Sequence, residues 1–199
     1  QKKYDVHGIT PDPQQIEYIR DTLGADAAIT QHSFETFSAE PGSYEVILLQ
    51  ESAQYIDPLV IFNQAIDLLT STGELIITDE FALKQDTFAP HALHFIDNVI
   101  ALATRLGFEL VEHRDLSRLA APTVDYLLQL TDTHRSRLMK DLEVSAAQLD
   151  QLNQSNQAYR EKYASGHYGY ALLHFRKKST PKWRLRFLQN DDHPPMQAL

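Results

Sequence analysis

The chain has 199 residues, of which 43% are hydrophobic and none is cysteine. This length supports one sizeable core, while the missing cysteines exclude disulfides, thiolate metal sites and cysteine nucleophiles and suit a reducing cytoplasm. The formal net charge of -9 opposes non-specific attraction to nucleic acid or to an anionic membrane, and no apolar run is long enough for a transmembrane helix. We therefore expect a cytoplasmic protein whose ligand is neither nucleic acid nor membrane.

Short apolar runs alternate with helical patterns through the first half of the chain. Residues 4–10 and 27–30 are typical of strands, and between them a helix begins at Pro13. Residues 44–50 form a third predicted strand, apolar enough to be buried on both faces. Pro58 then begins a second helix, because proline suits the first helical turn.

The same alternation continues beyond the second helix. A turn at Gly73 leads into a fourth predicted strand at residues 75–78. A helix over about 91–106 and a fifth strand over 108–116 follow. Strands alternating with helices of this length predict an α/β fold with a doubly wound, mostly parallel sheet.

The alternation stops after the fifth strand. Residues 123–163 are nearly all helical in pattern, with Leu127 and Leu142 on one predicted apolar stripe and Ser145 as the cap of the next helix. Residues 168–178 form a final aromatic-rich strand. A helical pair is thus inserted before the last strand, where it can cover a substrate mouth or simply extend the core.

The end of the chain has a different composition. Residues 179–199 begin like a linker and continue as a strand-like run, a turn and the start of a helix, which predicts the beginning of a second domain. A basic cluster spans the last strand and this tail; we expect a solvated strand end and linker, with a docking patch for an acidic partner as the alternative. Its members are Arg176, Lys177, Lys178, Lys182, Arg184 and Arg186.

Several chemistries lack their sequence signatures. The first four glycines are too far apart for a Gly-rich phosphate loop on the early strand ends, and no Gly-x-Ser-x-Gly nucleophile elbow is present. His91 and His94 lie three residues apart on a predicted helix without an accompanying carboxylate motif. We expect them to face solvent, so no metal site is predicted.

The segment "YEVILLQESAQYIDPLVIFNQAIDLLTSTGELIITDEF" resembles the middle of class I S-adenosylmethionine-dependent methyltransferases. In that family a strand beginning with an aromatic–acid pair ends at the reaction centre, and a helix, a glycine turn and a strand ending in an acid follow. Tyr44-Glu45 stands at the aromatic–acid pair, Gly73 at the turn, and Asp79 at the acid. The resemblance covers about residues 4–178 and implies a Rossmann-like methyltransferase fold and methyl transfer from S-adenosylmethionine to a small molecule.

Two further segments are similar to the cofactor-binding part of the branch that includes cyclopropane-fatty-acid synthases. "HGITPDPQQIEYI" carries the branch's Gly-(Val/Ile)-Thr pattern at Gly8 and Thr10, with Gln15 five residues beyond. Thr10 occupies the place where members often carry an acid for the ribose hydroxyls. In "ITQHSFETF", Ser33 replaces the aspartate that meets the adenine amino group, and Phe34 is implied to pack on the adenine.

The resemblance also implies residues at the reaction centre. Glu51 would act as a base or bind the acceptor, Tyr55 would face the transferred methyl group, and Gln50 would bind the amino-acid part of the cofactor. Tyr163 and Tyr168 would line the approach of the substrate. Each residue also has an ordinary structural interpretation. Glu51 could cap the loop, Tyr55 could be a core aromatic, and Gln50 could satisfy the strand end. Tyr163 and Tyr168 could simply pack at the last strand.

Besides Thr10 and Ser33, the sequence departs from the family at its start. The family's first strand and its Gly-rich loop have no counterpart, and we expect them immediately before Gln1 in a longer polypeptide. The alternative is a degenerate, catalytically silent module that binds a partner or supports a fused enzyme. "WRLRFLQNDDHPPMQAL" is weakly similar to the start of acyl-CoA-dependent N-acetyltransferases, which would make the parent polypeptide a fusion.

Overall fold

The structure is a computed structural model that describes residues 4–84 and 93–178. The predicted second-domain start and His91 lie outside the described residues. The strands are β1 (Gly8–Thr10), β2 (Ile29–Gln31), β3 (Tyr44–Gln50), β4 (Leu69–Ala82), β5 (Phe108–Asp115) and β6 (Tyr168–Lys177). The helices are α1 (Pro13–Leu23), α2 (Pro58–Leu68), α3 (Ile96–Arg105), α4 (Ser117–Ala120), α5 (Pro122–Thr133), α6 (Arg135–Asp141) and α7 (Ala146–Ala164), and a short 3-10 turn spans Ala53–Tyr55.

The strands form two sheets. The larger sheet has the order β3-β4-β6-β5, and the smaller one pairs β1 with β2. Both β1–β2 and β3–β4 are parallel, whereas β6 is antiparallel to β4 and to β5. Therefore β3, β4 and β5 run in one direction and the last strand runs against them. The predicted α/β class is confirmed, with an antiparallel strand inserted into the otherwise parallel sheet.

Aromatic packing between α2 and the larger sheet forms the centre of the core. The Phe62 ring on α2 lies 5.4 Å from that of Phe108 and 5.5 Å from that of Phe175, measured between centroids. Phe62 and Phe175 are completely buried. Such aromatic pairs stabilise beyond the area that they bury, so this cluster fixes α2 on the face formed by β4, β5 and β6.

The second strand is shifted from the predicted 27–30 to Ile29–Gln31, and the largest differences from the predicted bounds are at β1 and β4. The first strand is only three residues long, because Tyr4 and Val6 are exposed and only Gly8–Thr10 pair with β2. The fourth strand is longer than predicted, and its register with β3 jumps. Tyr44 pairs with Leu69 but Val46 with Glu74, so residues 70–73 bulge out. A Cβ on Gly73 would lie 2.9 Å from the Leu69 side chain, so this bulge requires glycine.

Helices α4 to α7 occupy the chain between β5 and β6. Ser145 is the cap of α7: its hydroxyl accepts from the Gln148 N–H at 3.3 Å, and the Gln148 side chain accepts from the Ser145 N–H at 2.8 Å. The predicted apolar stripe is wrong in part, because Leu127 and Leu142 are exposed. The buried apolar residues of these helices are Val124 and Leu149.

The described part of the basic cluster is a paired strand end. Arg176 forms an ion pair with Glu74 at 2.9 Å, and Lys178 forms one with Glu109 at 2.9 Å. The Lys177 ammonium donates to two backbone carbonyls near the end of α2. These contacts match the structural interpretation for residues 176–178, whereas residues 182–186 lie outside the described chain. Among the described helices, none has the length and apolar character needed to cross a membrane.

Candidate functional site

A cleft of about 740 Å³ lies between the β1–β2 pair and the edge of β3. On this edge Val46 and Leu48 are about half exposed, because β3 pairs only with β4 within the described chain. The cleft contains eight of the ten residues that the sequence assigned to a site. They are Gly8, Thr10, Gln15, Ser33, Phe34, Gln50, Glu51 and Tyr55.

One wall of the cleft is the turn from β1 into α1. Asp12 caps α1 by accepting a hydrogen bond from the Gln14 N–H at 2.8 Å, with Pro13 at the first helical position. The Thr10 hydroxyl donates to the Gln15 side-chain oxygen at 2.7 Å. This bond fixes two polar side chains side by side and leaves the Gln15 NH2 group able to donate to a ligand.

The adjacent wall is the turn after β2. The Gln64 side chain of α2 donates to the backbone carbonyls of Phe34, Glu35 and Phe37 at 2.8–3.0 Å, which holds this turn against the larger sheet. Phe34 is buried in the core, so it offers the cleft only part of its ring. The Ser33 hydroxyl lies 3.1 Å from that of Thr36.

The floor of the cleft is the end of β3. Glu51 has a positive φ of 50°, a conformation in which a non-glycine residue is strained, and its N–H donates to the Thr78 carbonyl at 2.9 Å. The chain then forms the 3-10 turn, which leaves Tyr55 79% exposed at the cleft. The Tyr170 hydroxyl of β6 donates to the Glu51 carboxylate at 3.0 Å.

Asp79 lies behind this floor and is completely buried. Its carboxylate accepts from the Gln54 N–H at 3.1 Å, from the Gln54 side chain at 3.2 Å and from the Glu80 N–H at 2.8 Å. Burial raises the pKa of this carboxyl above its usual value, and the bonds from backbone N–H groups oppose that shift. Asp79 therefore connects β4 to the segment that follows β3.

A second polar cluster joins α7 to the carboxyl end of β4. The hydroxyls of Tyr159 and Tyr163 both donate to the Glu80 carboxylate, the latter at 2.6 Å. Burial and the Glu80 carboxylate raise the pKa of both phenols well above the usual value, so both stay neutral donors. These bonds hold α7 over this end of the sheet.

The two predicted substrate residues lie apart from the cleft. The Tyr163 hydroxyl donates to the Glu80 carboxylate. Its pKa is raised first by burial and then by the carboxylates of Glu80 and Glu51. The Tyr168 ring packs against that of Tyr159 at 5.2 Å between centroids, and the Lys162 ammonium lies 5.8 Å above it. Tyr163 is thus bonded to Glu80 and Tyr168 has a packing contact, and neither lines the cleft.

Sequence reasoning missed the residues that join the two sheets. The His7 ring lies 3.0 Å from the Tyr44 hydroxyl through Nδ1 and 3.1 Å from the Thr30 hydroxyl through Nε2. The Phe37 ring makes edge contacts with the rings of His7 and Tyr44. These contacts hold β1–β2 beside β3 without a shared ladder. Nothing in the local pattern around His7 indicates this role.

His94 is the member of the predicted histidine pair that the structure describes. The His94 Nε2 lies 2.9 Å from the Ile56 carbonyl oxygen, so His94 holds the start of α2 rather than facing solvent. Residues 4–84 and 93–178 contain no group of three or more histidine, aspartate or glutamate side chains close enough to hold a metal ion.

No protein-family profile matches the sequence, and no curated protein matches it significantly. Solved structures do match. A cyclopropane synthase of Mycobacterium tuberculosis is 15% identical, with 88% of this chain and 71% of that one covered and a TM-score of 0.73. A Galdieria sulphuraria protein assigned as a sarcosine dimethylglycine methyltransferase is 17% identical, with 86% and 68% covered and a TM-score of 0.72.

A third similar structure contains ligands. It is a geranyl diphosphate C-methyltransferase from Streptomyces coelicolor A3(2), solved with Mg2+, geranyl diphosphate and S-adenosyl-L-homocysteine. It is 16% identical, with 86% of this chain and 64% of that one covered, and the TM-score is 0.62. These likenesses confirm the Rossmann-like methyltransferase fold. At such identities they establish the fold, and the site must supply the argument for activity.

Proposed function

We propose that this chain takes part in methyl transfer from S-adenosylmethionine to a small-molecule acceptor. The observation that carries the proposal is the convergence of eight residues, assigned from three separate segments of sequence, on one cleft. Their convergence is not a consequence of the sequence spacing, since Gly8 and Tyr55 are far apart along the chain. The ligand-bound S. coelicolor methyltransferase shares the fold and adds support for the cofactor.

The side chains that line the cleft suit such a cofactor in their chemistry. Thr10 and Gln15 offer a hydroxyl and an amide for ribose hydroxyls, the Ser33–Phe34 turn borders the adenine side, and Gln50 offers an amide to the amino-acid part. When bound, S-adenosylmethionine would supply an electrophilic methyl group on a cationic sulfonium.

Two residues at the end of β3 are proposed to act on the acceptor. Glu51 can accept a proton from an acceptor hydroxyl or amine or bind it, and Tyr170 holds one of its carboxylate oxygens at 3.0 Å. Tyr55 presents an exposed ring at the cleft, and an aromatic face attracts a nearby cation. Methyl transfer is a displacement, so the orientation of the two reactants supplies much of the rate.

The test is calorimetry with S-adenosylhomocysteine on the full-length gene product. We expect binding by the natural protein, and about tenfold weaker binding by Gln15→Ala, the loss of roughly one hydrogen bond. Gln14→Ala is the matched control, because Gln14 is its exposed neighbour on α1 and does not line the cleft. A protein that binds S-adenosylhomocysteine is then incubated with S-adenosylmethionine carrying a labelled methyl group and with a panel of small amines, alcohols and carbon acids, and transfer of the label is measured.

Two results would contradict the proposal. The first is no binding by the natural protein at millimolar S-adenosylhomocysteine, which would favour a silent module. The second is an equal loss of affinity for S-adenosylhomocysteine in the Gln14 and Gln15 variants, which would show that the ligand does not bind in this cleft.

A further inference from the structure

The segment that carries Glu51 and Tyr55 has little main-chain support of its own. We call residues 51–56 the β3 loop. One backbone bond ties its start to β4, from the Glu51 N–H to the Thr78 carbonyl. Its other backbone bonds are internal, from Tyr55 to Ser52 at 3.3 Å and from Ile56 to Ala53 at 3.1 Å. A strained residue such as Glu51 keeps its conformation only where the surroundings fix it.

Asp79 supplies the support that the loop lacks. Its carboxylate accepts from the backbone N–H and from the side chain of Gln54. Gln54 lies between Glu51 and Tyr55 in the loop. A carboxylate that is completely buried is costly, and no ion pair of the described residues involves Asp79. The bonds from Gln54 of the loop and from the Glu80 N–H compensate the burial of this carboxylate.

We propose that Asp79 is a positioning residue that acts through Gln54 to fix the β3 loop, and with it the side chains of Glu51 and Tyr55 in the cleft. The inference rests on the proposed function. It assigns to Asp79 a part in ligand binding although Asp79 itself does not line the cleft. A small displacement of positioned groups is enough to lower binding or rate.

The variants are designed to separate positioning from simple destabilisation. Asp79→Asn keeps the shape but presents an NH2 group to the loop donors, and Gln54→Ala removes only the side-chain bond. The double variant Asp79→Asn with Gln54→Glu reverses donor and acceptor and restores that bond. Ile77→Val is the control, because Ile77 is buried on the same strand and is not among the residues that contact the loop through hydrogen bonds.

The readouts are hydrogen exchange of the backbone N–H of residue 54 and the affinity for S-adenosylhomocysteine, both measured on the full-length protein. In Asp79→Asn and Gln54→Ala we expect exchange at Gln54 to rise and the affinity to fall by about tenfold, comparable to the loss of one hydrogen bond. The double variant restores the side-chain bond but sets the new NH2 group against the Glu80 N–H, so it should recover both readouts only in part. Ile77→Val should change neither. Where Asp79→Asn fails to fold, Gln54→Ala and the double variant still decide.

Three outcomes would overturn the inference: a Gln54 amide that stays protected in Asp79→Asn, an unchanged affinity in both single variants, or an equal change in Ile77→Val. A natural protein that does not bind S-adenosylhomocysteine refutes the proposed function instead. The exchange measurement then decides alone whether Asp79 anchors the loop.

Discussion

Replacing Glu80 with glutamine is the sharpest test of how α7 is held over the sheet. The natural carboxylate accepts hydrogen bonds from Tyr159 and Tyr163 through its two oxygens. Glutamine has one acceptor oxygen, so one phenol keeps its bond to a neutral acceptor and the other must accept from the glutamine NH2 group. Two bonds to a charged group are thereby replaced by two neutral ones. The change removes a charge without altering the length of the side chain.

The magnitude follows from the two bonds. Hydrogen bonds to charged groups contribute about 1.5–3 kcal/mol each and neutral ones about 0.5–1.5 kcal/mol. Glu80 is only partly buried, which favours the lower end of these ranges. We expect Glu80→Gln to lower the free energy of unfolding by about 2 kcal/mol. For a domain of this size that corresponds to a fall in Tm of about 4–8 °C.

The assay is thermal unfolding followed by circular dichroism, combined with limited proteolysis of α5 to α7. Glu161→Gln is the matched control, because Glu161 lies on α7 and is exposed. We expect the control to change Tm little and Glu80→Gln to speed cleavage within these helices. Equal Tm values for the two variants, with unchanged cleavage, would refute the view that the Glu80 bonds hold α7.

Two further predictions concern the same end of the sheet. Burial and neighbouring carboxylates raise the pKa of three of the nine tyrosines, Tyr159, Tyr163 and Tyr170. Their neutral forms therefore stabilise the fold below the ordinary pKa of tyrosine. That stabilisation is lost as the pH rises through the pKa of the folded state. Three tyrosines should therefore stay protonated near pH 11 in a tyrosinate absorbance titration, and ordinary titration of all nine in the folded protein would contradict this. Gly169→Ala should lower the free energy of unfolding by about 1–3 kcal/mol in urea titration, because a Cβ there would lie 2.5 Å from the Ser117 hydroxyl and 2.7 Å from the Leu83 side chain. Gly8→Ala is its control, since a Cβ at Gly8 makes only ordinary contacts with Ile29, and equal effects of the two would contradict the packing argument.

The parts of this protein that the sequence determined are local. The apolar run before Gln50, Asp57 as the cap of α2 and Pro58 at its first position are all encoded within a few residues of where they act. The same holds for the Ser145 cap of α7. Such signals depend on backbone geometry and short-range hydrogen bonds, so they can be identified without knowledge of the rest of the chain.

Eight of the residues assigned from the sequence lie together in one cleft. In parallel α/β folds ligands bind at the carboxyl ends of the strands, and the resemblance assigned polar residues to those ends. Their individual roles stay predictions, because a residue can lie at a strand end for packing or for binding, and its position alone does not distinguish the two.

The tertiary structure decided which groups face each other across long stretches of chain. Tyr163 reaches Glu80 from 83 residues away, His7 reaches Tyr44 from 37, and Gln54 reaches Asp79 from 25. No periodicity of the sequence encodes the strand order in which β6 lies between β4 and β5. The direction of a side chain depends on burial and on partners that only the assembled sheets supply. The sequence therefore shows Asp79 as an acid after a strand, whereas only the tertiary structure shows its hydrogen bonds to Gln54 in the β3 loop.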